Sequence, residues 1–211
     1  MGWNEWIRTV EIVPAVSRAQ PAAVDAQTEA LLRTGCRIFH VRVRENLGEL
    51  STVRLLGPLA RRYDGVVSVQ VDGPADRGVF AALAEAGAAS VTVQLEAVPD
   101  VSAALESARA RGRPAGVAIS EATDLEAAAR AAAGAELVRC PGTELYEQLR
   151  NVRLLSPLLP ARMPIQVGGG VSHENVRELY EAGARVLVVG TAIFGREDLP
   201  RACRRLIQAL A

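Results

Sequence analysis

Ile165-Gln166-Val167-Gly168-Gly169-Gly170 and, 21 residues on from Gly169 to Gly190, Val186-Leu187-Val188-Val189-Gly190-Thr191 are two apolar runs that each stop at glycine just before a helix begins. Each run is too short for a helix core and reads as a buried strand. Ser172 is the expected N-cap after the first, and Thr191 opens the short turn Ala192-Ile193-Phe194-Gly195 after the second. Glycine lets backbone approach a ligand closely, and a helix start leaves N–H donors free for an anion. Two such ends in succession match the phosphate cradle that follows strands seven and eight of a (β/α)8 barrel. Gly169, Gly170, Gly190 and Thr191 are therefore the candidate phosphate-binding residues. The plainer alternative is two ordinary strand-to-helix turns.

The rest of the chain counts out in the same units. A helix ending in Gly and leading into an apolar strand recurs four times, at residues 31–43 around Gly35, 83–95 around Gly87, 131–140 around Gly134 and 179–190 around Gly183. The glycines are 52, 47 and 49 residues apart, two βα units each, and Gly just past a helix is the usual stop. Between them lie further apolar runs at 10–16, 66–71, 115–120 and 163–167. Strict alternation of strand and helix implies a parallel sheet, and eight units in 211 residues imply a closed, nearly minimal TIM barrel of the α/β class. Residues 1–211 read as one domain. Residues 1–9, with Trp3 and Trp6, form an extension that covers the barrel bottom or a neighbouring subunit. A doubly wound open sheet is the structural alternative.

Composition narrows the function classes. The 24 basic and 24 acidic residues cancel, so there is no electrostatic case for a nucleic-acid or membrane partner. No apolar run approaches the ~18 residues of a membrane span, and no secretory h-region is present, which points to the cytoplasm. Cys36, Cys140 and Cys203 lack metal-type spacing and suggest no disulfide framework. All 24 basic residues are arginine. A Schiff-base aldolase needs an amine that can lose its proton, which guanidinium cannot do, so that mechanism is excluded.

Barrel strands are buried on both faces and should be rich in Val, Ile and Leu, so polar residues near their C-terminal ends need a reason. Spacing of two puts His40 with Arg42, Gln70 with Asp72, and Gln94 with Glu96 on common faces that converge on the barrel mouth. Ser120 and Arg139 end strands five and six. His40, Arg42, Asp72 and Glu96 are the candidate catalytic groups; Gln70, Gln94, Ser120 and Arg139 are candidate substrate-binding groups. Each has a plainer reading: a hydrogen-bonded core histidine, a satisfied glutamine layer, an internal ion pair. An interior guanidinium needs an anion, and Glu96 is the expected internal partner of Arg42. Asp72 has no evident partner and is the favoured proton-transfer group. Arg18, Glu11 and Glu121 read as solvated or structural. Residues 53–59 offer a candidate homodimer surface.

The order Ile12-Val13-Pro14, Phe39-His40-Val41, Val91-Thr92-Val93-Gln94-Leu95-Glu96-Ala97, Gly116-Val117-Ala118-Ile119, Gly168-Gly169-Gly170-Val171 and Val189-Gly190-Thr191-Ala192-Ile193-Phe194-Gly195 resembles the ribulose-phosphate 3-epimerase family. The resemblance implies a phosphosugar-binding barrel from about residue 11 to 208, its last third shared with other ribulose-phosphate-binding barrels. That family holds a divalent metal with two histidines and two aspartates, and the aspartates also shuttle the proton. Here His40 matches the first histidine, while the other three positions are Arg42, Gln70 and Gly168. The family's strand-one serine is Ala15, its strand-four histidine is Gln94, and its strand-six flap is shortened to Pro141-Gly142-Thr143-Glu144. An arginine where a cation would sit argues against any metal cofactor. A metal held by His40, Asp72 and Glu96 is the minor alternative.

These residues imply an enzyme that acts on a small phosphorylated sugar or related anionic metabolite by metal-independent proton transfer. Epimerisation or isomerisation comes first and carbon–carbon lyase chemistry second. The competing class is a non-catalytic phosphosugar-binding protein that kept the cradle and lost the chemistry. Lost ligands usually drift to small or apolar residues, whereas Arg42, Gln70 and Gln94 keep the mouth polar, which favours an altered enzyme.

Overall fold

The computed structural model describes residues 3–7, 10–44, 48–140, 142 and 144–210. The elements, in chain order, are α1 (Trp3–Trp6), β1 (Glu11–Pro14), α2 (Val24–Leu32), β2 (Ile38–Val43), α3 (Leu50–Arg61), β3 (Val66–Val71), α4 (Arg77–Ala86) and β4 (Ser90–Gln94). They continue as α5 (Val101–Arg109), β5 (Ala115–Ala118), α6 (Leu125–Ala131), β6 (Val138–Arg139), α7 (Leu145–Leu155) and β7 (Ile165–Gly168). The last are α8 (Val176–Ala182), β8 (Ala184–Val189), α9 (Thr191–Phe194) and α10 (Leu199–Leu210). All strand pairs are parallel, in the order β1-β8-β7-β6-β5-β4-β3-β2. Between β1 and β2 the sheet is joined by one isolated parallel bridge, Ala15 to His40. The alternation read from the sequence is thus a (β/α)8 barrel.

Local chemistry sets the joints. Asp76, Asp100 and Asp124 each accept from the backbone N–H three residues on and start α4, α5 and α6; Asp198 does the same ahead of α10. Gly35, Gly87 and Gly183 follow α2, α4 and α8 with positive φ. Gly134, expected to act alike, instead closes a tight three-residue turn, Ala132–Gly134. The first apolar run yields a shorter strand than 10–16, because Val16 already turns into a helical turn at Val16–Arg18.

The core has two parts. Between barrel and helices lies a large aliphatic shell that includes Leu31, Phe39, Leu56, Phe80, Leu105 and Leu155. Inside the barrel, Val13, Ile38, Leu137, Val186 and Val188 cluster with the fully buried Trp3, against which Trp6 packs edge-on at 5.3 Å. Of the two roles expected for the N-terminal tryptophans, covering the barrel floor is therefore the one seen. Above that floor the interior turns polar: His40 lies in register with Ser68, Gln70 with Thr92, and Arg139 with Gln166.

One expectation needs correction. Residues 53–59 are not an open apolar face. Val53, Leu56 and Gly57 are buried, and a Cβ at Gly57 would come within 3.3 Å of the Gly87 carbonyl, so α3 spends that face on α4. Leu55 is the large apolar side chain left exposed there. Cys36 and Cys203, scattered in sequence, are brought together as buried free thiols with sulfurs 2.9 Å apart. No helix among the described residues is long and apolar enough to cross a membrane.

Candidate active site

A cleft of about 960 Å³ opens at the C-terminal ends of the strands. One wall is the pair of glycine-closed strand ends. Gly168, Gly169, Gly170, Gly190 and Thr191 all line it. Gly169 and Gly170 have φ of 100° and 69°, the left-handed region that bends the backbone sharply after β7 and that a side chain would strain. Thr191 begins α9 as expected. Ser172 does not cap α8: its hydroxyl accepts from the Glu174 N–H, and its own N–H donates to Asn175 Oδ1, so a turn intervenes before the helix starts at Val176.

The opposite wall carries His40, Arg42 and Asp72, and Arg139 of β6 reaches the same space. Arg42 Nε donates to Asp72 Oδ2 at 2.9 Å with Nη2 2.8 Å from the same oxygen. Gln70 Nε2 donates to Oδ1 at 2.9 Å. The expected pairing is thereby corrected: Asp72, not Glu96, is the partner of Arg42. A carboxylate offers about four lone-pair sites, so one on Oδ1 stays open to the cleft.

His40 is almost wholly buried, and its Nδ1 has no hydrogen-bond partner among the described residues. Burial, then the fields of Arg139 and Arg42, lower its pKa from 6.5 to about 3. The imidazole is neutral near pH 7 and acts as a hydrogen-bonding group, not as a charged acid. Arg139 is half-buried, and burial and then the Arg42 charge lower its pKa while Asp72 raises it.

Four residues expected at the site lie elsewhere. Glu96 sits past β4 in a short turn, Leu95–Ala97, and braces the β5–α6 loop. It accepts from Gln94 Nε2, from Thr123 Oγ1, and from the Ser120 N–H at 2.9 Å. Burial alone would raise its pKa, but the bonds from Thr123, Gln94 and Ser120 outweigh this and hold it at about 2. Such a group is a fixed anion, not a proton carrier. Gln94 and Ser120 are spent on the same brace, and Gln70 lies one layer under the cleft floor with its Oε1 unpartnered among the described residues. Four charged cleft residues were missed or set aside: Arg18, Arg44, Glu49 and Arg196. All are on loops, short turns or element edges, where no periodicity marks orientation; Arg18 gives itself away only by following the C-terminal end of the first strand. Glu49 Oε2 accepts from the Arg44 N–H at 3.1 Å.

The cleft does not fit the divalent ion of the resembled family. Among the described residues no three of His, Cys, Asp and Glu come together, so the His40–Asp72–Glu96 alternative falls as well. Asp72 is already neutralised by a guanidinium, and a second one stands beside it. The remaining ligand position is Gly168, which has no side chain to donate, and a Cβ there would lie 3.0 Å from Val188 Cβ, a contact that requires Val188 to give by a few tenths of an ångström.

Comparison with known proteins gives a consistent relation. The description of the Ribulose-phosphate 3 epimerase family matches residues 11–194. The chain is 24% identical over 209 residues to ribulose-phosphate 3-epimerase of Aquifex aeolicus, covering 92% of this chain and 94% of that one. It is 26% identical over 216 residues to that of Escherichia coli K12, covering 95% and 96%. Among solved structures, a 3-hexulose-6-phosphate synthase superposes with a TM-score of 0.78 at 22% identity over 96% of this chain and 100% of that one. Orotidine 5'-phosphate decarboxylase from Pyrococcus horikoshii gives 0.76 at 15% identity, covering 94% and 98%. At such identities these two show a shared fold.

Proposed function

The chain belongs to the ribulose-phosphate 3-epimerase family, and from that premise we propose that it is an epimerase-like enzyme moving a proton next to the carbonyl of a small phosphorylated sugar, without a metal. The observation that carries this reading is the Arg42–Asp72 pair facing the glycine cradle across one cleft. The phosphate sits on the Gly169-Gly170 and Gly190-Thr191 backbone, which holds the other end of the substrate over the pair. Asp72 takes the proton from the carbon beside the carbonyl through its free lone pair. Arg42 stabilises the enediolate oxygen that develops, the electrostatic role a metal has in the resembled family. Inversion at that carbon then takes a proton from cleft water on the opposite face while Asp72 releases its own to solvent; return from Asp72 itself gives exchange with retention or, at the neighbouring enediolate carbon, isomerisation. Neutral His40 orients a substrate hydroxyl. Carbon–carbon cleavage would use the same enediolate and remains the second choice of chemistry. The absence of lysine excludes the Schiff-base route to it.

The test is solvent exchange. EDTA-treated protein incubated with ribulose 5-phosphate in D2O is expected to wash deuterium into C3, followed by NMR. Asp72→Asn is expected to slow the exchange about a hundredfold or more, in the range of lost general-base catalysis. Full turnover in that variant would remove Asp72 from its role. No exchange in the parent protein, with thermal stabilisation by phosphate intact, would leave a phosphosugar-binding protein instead.

A further inference from the structure

The charges lining the cleft do not balance. Five arginines (Arg18, Arg42, Arg44, Arg139 and Arg196) face two carboxylates, Asp72 and Glu49, which leaves an excess of three positive charges beside a neutral His40. Both carboxylates are engaged: Asp72 with Arg42 at 2.8 Å, Glu49 with Arg44 at 4.0 Å. Two of the remaining guanidiniums belong to the cradle. Arg18 packs on Gly190, where a built Cβ would lie 2.9 Å from its Cγ, and Arg196 follows directly on Gly195 behind α9. A phosphate dianion on that wall matches those two.

Arg139 is the third. Its guanidinium has no hydrogen-bond or ion-pair partner among the described residues, although it is half-buried, is repelled by Arg42, and feels in return chiefly the Asp72 carboxylate that Arg42 already holds. Leaving a guanidinium in that state costs free energy unless a ligand supplies the counter-charge. It stands on β6, beside the cradle strand β7, and lines the same cleft as His40, Arg42 and Asp72, all of which feel its charge. His40 lines the same cleft, and its buried Nδ1 has no hydrogen-bond partner among the described residues. A neutral sugar carbonyl would satisfy the Arg42 edge and leave Arg139 uncompensated. One more negative charge, planar and able to take the fork of a guanidinium, closes the balance.

We propose that Arg139 binds a carboxylate at the non-phosphorylated end of the substrate, so that the preferred ligand is a phosphorylated sugar acid, not a phosphorylated sugar. This rests on the phosphosugar reading given above and specifies its substrate class. Arg139 acts there as the specificity-determining residue. It sets which end group is accepted, while Asp72 and Arg42 keep their roles in the proton transfer. Ribulose 5-phosphate is then a partial fit that lacks the group Arg139 is built to hold.

The test compares three probes by calorimetry on the intact chain at one ionic strength: inorganic phosphate, erythritol 4-phosphate and erythronate 4-phosphate, the last two differing in the carboxylate. Erythronate 4-phosphate is expected to bind about tenfold tighter or more than erythritol 4-phosphate, the scale of a hydrogen-bonded charge pair. Arg139→Gln is expected to erase that difference, to leave phosphate affinity unchanged, and to melt no lower than the parent protein, because it removes an unpaired charge. Equal binding of the two organic probes, with phosphate still bound, would overturn the carboxylate proposal and leave the phosphosugar reading standing. Persistence of the difference in Arg139→Gln would overturn the assignment to Arg139. Failure of all three probes to bind would remove the phosphosugar reading itself, and the proposal with it.

Discussion

Trp3→Ala is expected to cost about 3–5 kcal/mol, the range for emptying a buried large aromatic, and to lower the melting temperature by roughly 6–20 °C. The indole is fully buried among Val13, Ile38, Leu137 and Val186 at the barrel floor. These come from strands β1, β2, β8 and the residue before β6; Trp6, partly buried and edge-on to Trp3, is the large side chain next to the space, and its shift into it would set the lower end of the range. Trp3→Phe separates volume from polarity. The indole Nε1 has no hydrogen-bond partner among the described residues, so phenylalanine loses ring area but also an unpaired donor and is expected to cost about 1–2 kcal/mol. Thermal melts followed by far-UV circular dichroism read both. A Trp3→Ala melt within 2 °C of the parent, about 1 kcal/mol or less, would mean the helix does not stop the barrel floor.

Acid is expected to unfold the protein through His40. Its folded pKa of about 3 lies below the ordinary 6.5, because burial and the fields of Arg139 and Arg42 all disfavour the imidazolium. Between those two values the unfolded chain binds a proton that the native state does not. Stability from this group is therefore complete above pH 6.5 and is lost progressively as pH falls toward 3. The slope is about 1.4 kcal/mol per pH unit and the total on the order of 5 kcal/mol. Urea unfolding of the parent and of His40→Gln between pH 7 and pH 4 isolates the contribution. The variant is expected to lose that slope, keeping only the part shared with carboxylates elsewhere. Parallel curves for the two proteins would show that the histidine is not held neutral in the native state.

The barrel was legible because each strand is a short apolar run followed by a helix start, and that pattern survives whatever the strands carry inside. The site was legible in part for a related reason. Gly169, Gly170, Gly190 and Thr191 announce a wall by their own chemistry, and His40, Arg42, Asp72 and Arg139 by interrupting strands that should be apolar. Period-two spacing tells which face a side chain takes but not its height along the barrel axis. Gln70 therefore lies just below the cleft, and Glu96, beyond the end of β4, turns aside to the β5–α6 loop. Partner choice was illegible for the same reason. Arg42 reaches the neighbouring strand β3, whose register sets it level with Gln70 and within reach of Asp72. Arg18, Arg44, Glu49 and Arg196 lie where no repeating pattern exists to say which way they point.

The single bridge between Ala15 and His40 gives the cylinder a seam. The other strand pairs hold two to six registered partners, so this junction is held less by backbone ladder and more by the side chains packed across it. One lip of that seam is the residue that carries the cleft imidazole, and Trp3, packed with both Val13 and Ile38, clasps the two lips from beneath. The cylinder is thus closed at its mouth by one bridge and at its foot by an indole, so the side chain that fills the floor also completes the wall.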